Sequence, residues 1–114
     1  MKKLIVAFAL MASPAIAGPI TDRLSETPGG TFASSKAPAE LELCATDVVV
    51  SFSGLTPIII RDRGNVHFVG WAGGYMGNHV MVTITLRPTA SGTAIETRAL
   101  RGLDTLNERV RACL

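Results

Sequence analysis

The most regular pattern in the chain is His79-Val-Met-Val-Thr-Ile-Thr-Leu-Arg87, where Val80, Val82, Ile84 and Leu86 alternate with Met81, Thr83, Thr85 and Arg87. A period of two predicts a strand with one face on a core. Val66-His-Phe-Val-Gly-Trp71 alternates in the same way. Behind it Pro57-Ile-Ile-Ile60 and the turn residues Arg61 to Asn65 complete a predicted hairpin from Pro57 to about Trp71. Pro88 to Gly92 turns the chain, and Thr93 to Leu100 alternates again, predicting a second hairpin.

Two other segments carry helical spacing. Leu41, Cys44, Ala45, Val48 and Val49 recur at i, i+3, i+4, i+7 and i+8, with Glu40, Glu42 and Asp47 off that stripe. Ser35 is the expected cap, and Pro38 is tolerated in the first turn. At the other end Leu103, Leu106, Val110 and Cys113 form a second stripe, with Asp104 near its start and Arg109 and Arg111 near its end, as the helix dipole prefers. Thr31–Ser34 is expected to form at most a short additional strand. Residues 18–30, GPITDRLSETPGG, show no apolar period and are expected to be an extended or mobile lead-in.

The predicted order is therefore (β)-α-β-β-β-β-α: an α+β domain over residues 31–114, with a four-stranded antiparallel meander and two helices on one face. This order resembles that of the TATA-binding-protein-like and helix-grip architectures, in which a curved sheet is backed by helices. The likeness is one of element order over residues 31–114, with no shared motif, so it implies no activity.

Composition changes the picture at the N-terminus. Lys2 and Lys3, an apolar run from Leu4 and the small-residue pattern Ala15-Ile-Ala17 are the ordered features of a secretory signal peptide, expected to be cut after Ala17. The run is too short for a bilayer span, which takes about 20 apolar residues. With Lys2 and Lys3 removed, the eleven basic residues fall to nine and match the nine acids, so the formal charge drops from +2 to zero. Such a chain lacks the overall positive field that draws proteins to nucleic acid, and a periplasmic or secreted location is expected. In an oxidising compartment Cys44 and Cys113, the only cysteines, are expected to form one structural disulfide.

Motifs for chemistry are sparse. The stretch Gly70-Trp-Ala-Gly-Gly-Tyr-Met-Gly-Asn-His79 is rich in glycine but matches neither phosphate-loop pattern, and a strand follows it where an anion would need a helix start. No nucleophile elbow, paired carboxylates or short metal-ligand spacing appears, so no catalytic residue, metal or cofactor is assigned. The eight arginines are expected to pair with the acids.

What remains is the sheet's second face, which carries His67, Val69, Trp71, Met81, Thr83 and Thr85 in this register and turns apolar beside the glycine stretch. A face of this kind, if open, marks interaction surfaces. The expected reading is a small exported binding or interaction module using Val69, Trp71, Tyr75, Met76 and Met81, which would engage a protein partner, a second copy or a small apolar ligand. The competing expectation is that the lead-in or the 70–79 loop folds back and covers this face. A second functional reading is a small periplasmic hydrolase or metal-dependent enzyme, which requires His67, His79 and Glu96 to converge.

Overall fold

A computed structural model of the protein describes residues 18–73 and 79–114. The expected signal peptide, together with Tyr75 and Met76, lies outside the described residues. In chain order the elements are α1 (Pro19–Leu24), β1 (Gly30–Ser34), α2 (Pro38–Val50), β2 (Thr56–Asp62), β3 (Asn65–Ala72), β4 (His79–Thr89), β5 (Gly92–Ala99) and α3 (Leu103–Arg111). Mixed α and β content around an antiparallel sheet agrees with the sequence reading. The described residues hold five strands and three helices where four strands and two helices were expected.

The strands lie in the order β1-β5-β4-β3-β2, all antiparallel. β2 to β5 is the meander, and β1 is added at its far edge by pairing Gly30–Ser34 with Thr93–Thr97. β1 and β2 are thus opposite edges of the sheet, and α2, which joins them, must cross one face. It buries Leu41, Ala45, Val48 and Val49 against Val66, Phe68, Val82, Ile84, Leu86 and Ile95, while Leu106 and Val110 of α3 complete the same core. The first helical turn of α2 is not capped by Ser35. The helix starts at Pro38, whose missing N–H costs nothing there, and Glu40 Oε1 accepts the Ala37 N–H at 3.0 Å.

The Cys44–Cys113 disulfide joins α2 to a residue two positions beyond the end of α3, with the two Cα atoms 5.9 Å apart. The bond is compatible with an extracellular or periplasmic location. No helix among the described residues is long and apolar enough to cross a membrane.

Two departures from the predicted pattern shape the outer face of the sheet. First, residues 18–30 are not an extended lead-in. Pro19–Leu24 forms a helix with proline at its first position and Asp22 in its first turn, both favourable there. Second, the register between β3 and β4 shifts at Gly70 and Trp71. Gly70 pairs with Val82 but Trp71 pairs with Val80, so Met81 is the extra residue of a β-bulge.

The bulge reverses the alternation on its N-terminal side. Val80, expected on the helix-backed face, moves to the outer face opposite Trp71. Met81, expected on the outer face, packs against the helix-backed core beside Phe52 and Leu55. Gly70 marks the spot for a steric reason. A Cβ there would lie 2.8 Å from Val82 Cγ2, 2.9 Å from Val49 Cγ1 and 3.1 Å from Leu55 Cδ1, so α2 can approach β3 this closely only over a glycine.

Candidate functional site

The outer face is built from cross-strand rows. Ile58, Val69, Thr83 and Arg98 form one row, and Ile60, His67, Thr85, Glu96 and Thr31 the next. In a two-layer domain these side chains would meet water. Here Val69 and Thr83 are 0% exposed and Thr85 is 1% exposed, so something covers them.

The cover is α1 and the segment after it. α1 contributes no fully buried residue, so it is not held by apolar contact alone. Arg23 Nε donates to the Val80 carbonyl at 3.1 Å, and its Nη1 holds Glu26 at 2.8 and 2.9 Å. Arg98 Nε, itself buried, donates to the Glu26 carbonyl at 2.7 Å, and Gly29 N–H donates to the Thr97 carbonyl at 2.7 Å. The alternative in which the lead-in folds back is therefore the one the structure takes over most of the face.

Among the described residues, coverage is incomplete at the end beside the bulge. Pro19 and Ile20 of α1 face Ile58, Trp71, His79 and Val80 across an apolar cleft of about 220 Å³. The bulge creates one wall, because without it Val80 would point into the core. The side chains of Pro19, Ile20, Ile58, Trp71 and Val80 are carbon throughout apart from the Trp71 indole nitrogen, and His79, the first residue of β4, stands at the margin of the cleft. Beyond the other side of α1, Thr21, Leu24 and Ser25 face Asp62, Arg63, Asn65, His67 and Arg87 across a wider, polar depression.

The residues proposed from sequence now sort clearly. Val69 lies under α1, fully buried; Trp71 lines the cleft; Met81 is on the opposite face. Sequence reasoning missed Pro19, Ile20, Ile58 and Val80. The glycine inside the β3 pattern was the available signal for a bulge, and the proline-first, acid-in-first-turn start of PITDRL was the signal for α1.

The polar row does not assemble a metal or hydrolytic centre. His67 Nδ1 is 2.8 Å from Thr85 Oγ1, and Glu96 lies on the far side of Thr85, bound to Arg87 at 3.1 Å and to Arg98 at 3.4 Å. His79 pairs with Ala72, five residues along β3 from His67, roughly 16 Å at the strand rise of about 3.3 Å per residue. No group of three His, Cys, Asp or Glu side chains suited to a metal ion occurs among the described residues.

Burial pushes the His67 pKa below its ordinary value; Asp62 and Glu96 oppose that shift, and Arg87 and Arg98 reinforce it. The hydrogen bond from Arg87 holds Glu96 below the usual carboxylate range. A neutral imidazole bonded to a threonine and an ionised carboxylate between two guanidiniums are both satisfied in place. Thr83 is the exception, since its buried hydroxyl has no partner among the described residues.

The arginines pair largely as expected, with Arg61 on Glu42 and Arg63 beside Asp62 in addition to those above. Arg109 and Arg111 instead stack over Phe52 and Phe32, at 4.8 and 5.2 Å from the ring centres. Comparison of the chain with protein-family models, curated proteins and solved structures gives no match.

Proposed function

We propose that the protein is a small exported binding module whose site is the cleft between α1 and the outer face of the sheet, and that its ligand is a small apolar molecule. The observation that supports this reading is the lining: Pro19, Ile20, Ile58, Trp71 and Val80 line an open cleft of about 220 Å³ with His79 at its margin. An apolar cavity of about 150 Å³ accepts benzene, so this one suits a single ring or a short alkyl chain. Apolar lining with few polar groups is the usual character of a small-molecule site. Export follows from the N-terminal sequence pattern, with which the disulfide is compatible.

The test uses Trp71, the only tryptophan. Titration of the purified protein with n-alkanols of increasing chain length is expected to shift Trp71 emission to the blue with saturation, more tightly as the chain lengthens. Ile20→Asp, which places a carboxylate in the cleft without touching the sheet, is expected to abolish the saturable shift while the far-ultraviolet circular dichroism is retained. An emission spectrum that changes only linearly with alkanol, or identically in Ile20→Asp, removes the proposal.

A further inference from the structure

β2 is an edge of the sheet, and its backbone groups can be assigned by counting from the turn. The hairpin to β3 closes through Arg63 and Gly64, at φ 54° and 84°, and pairs Asp62 directly with Asn65. Two positive φ values make the mirror-image turn of a two-residue hairpin, whose closing pair exchanges both ladder bonds. Asp62, Ile60, Ile58 and Thr56 therefore direct their N–H and C=O groups to β3. By alternation, Ile59 and Arg61 direct theirs outward, as Pro57 does its C=O. Pro57, which has no N–H, stands where a strand gives up no internal bond.

We propose that β2 pairs antiparallel with β2 of a second copy, about a two-fold axis through Ile59, to join two five-stranded sheets into one. The sequence Thr56-Pro-Ile-Ile-Ile-Arg-Asp62 is self-complementary in this register. Ile59 faces its own copy and exchanges both backbone bonds with it. Ile58 faces Ile60, Arg61 N–H meets the Pro57 carbonyl, and Asp62 lies opposite Thr56. No like charges oppose each other, and the contact has the isologous form that closes at two subunits.

Exposed edges are usually blunted by charge. The arginine that would do so here is drawn away: Arg61 is bound to both Glu42 carboxylate oxygens, at 2.7 and 3.1 Å, which holds its guanidinium toward α2. Ile59 is left 45% exposed. The opposite edge offers less, because β1 has five residues against seven, with Gly30 and Ser34 at its ends. An edge contact of seven residues falls at the small end of specific interfaces, so the dimer is expected to dissociate in the micromolar range.

Sedimentation of the purified protein across that range is expected to show a monomer–dimer equilibrium. Ile59→Lys sets two ammonium groups against each other on the two-fold axis and is expected to leave only monomer, with circular dichroism and the disulfide intact. Amide hydrogen exchange is the second readout, and remains decisive if the variant does not fold. The Ile59 and Arg61 amides are expected to slow as concentration rises, while those of β1 do not. A parent protein that stays monomeric, a dimer that Ile59→Lys leaves unchanged, or an Ile59 amide insensitive to concentration overturns the proposal. A strand of a different protein as the natural occupant would appear as the first of these results.

Discussion

Gly70→Ala tests the packing that positions Trp71. The added methyl group meets Val82 and Val49 below 3.0 Å and Leu55 at 3.1 Å. Val82 is 1% exposed and Val49 0%, and both are β-branched, so neither can turn aside without leaving its preferred rotamer. Overfilling a packed core of this kind costs about 1–3 kcal/mol. Alanine returns part of that, about 0.4–1 kcal/mol, by restricting the unfolded chain. The net expectation is a loss of about 1–2 kcal/mol. For a domain of this size that is a fall in Tm of roughly 5–15 °C, since 1 kcal/mol corresponds to about 4–8 °C. Thermal and urea unfolding of Gly70→Ala, Val82→Ala and the double variant measure it. If contact with Val82 carries part of the cost, Gly70→Ala is expected to cost at least ~0.5 kcal/mol less in the Val82→Ala background. A Gly70→Ala protein as stable as its parent, or one with the same penalty in both backgrounds, would show that Gly70 does not face Val82 and that the register at the bulge is wrong.

Removing the disulfide with the Cys44→Ala and Cys113→Ala pair opens a loop set by a sequence separation of 69, which the chain-entropy relation converts to about 4 kcal/mol; a urea midpoint that moves by less than ~1 kcal/mol equivalent would contradict a stapling role. His67 makes stability depend on pH. Its folded pKa lies below the ordinary 6.5, so between the two values the unfolded chain binds the extra proton. Its contribution is complete above pH 6.5 and is lost as pH falls from there through the folded pKa. Unfolding at about pH 7.5 and about pH 5.5 is expected to show lower stability in acid, and His67→Gln is expected to flatten that difference. The lowered carboxylates Glu42 and Glu96 act further down, below 4.5.

The meander and the disulfide were legible in the sequence because they rest on local periodicity and cysteine count. The run from Val80 to Leu86 has a period that only a strand satisfies, and Cys44 and Cys113 share the apolar stripes of their helices. The bulge was not legible. It is a two-against-one count between strands, and the apolar alternation of Val80 and Val82 is the same with or without it; the glycine at position 70 is the only local trace. α1 was missed because six residues are too few to show a period. A helix that short does not persist alone in water, so it exists only where the sheet supports it. Its site is therefore a tertiary fact, and so is the cleft that it walls. Of the residues that line the cleft, Trp71 stood out in the sequence because it is an aromatic beside a glycine-rich segment; Ile20 and Ile58 carried no such mark.

The way α1 is held explains why a cleft occurs there. A helix that buries no residue completely gains little from apolar contact, and its attachment rests on bonds to main-chain carbonyls, from Arg23 to Val80 and from Arg98 to Glu26. Those bonds fix α1 at its C-terminal end. Among the described residues its N-terminal end, Pro19 and Ile20, rests on the apolar wall of Ile58, Trp71 and Val80 and does not fill it. Closing that gap by moving α1 inward would strain the Arg23 bond to the same strand, at the residue the bulge turned outward. The bulge thus sets both sides of the cleft: it presents the Val80 side chain as a wall and the Val80 carbonyl as the anchor that keeps α1 at its distance. Segments attached by few bonds open at low free-energy cost, so the proposed ligand would enter beside Ile20 without unfolding the sheet beneath it.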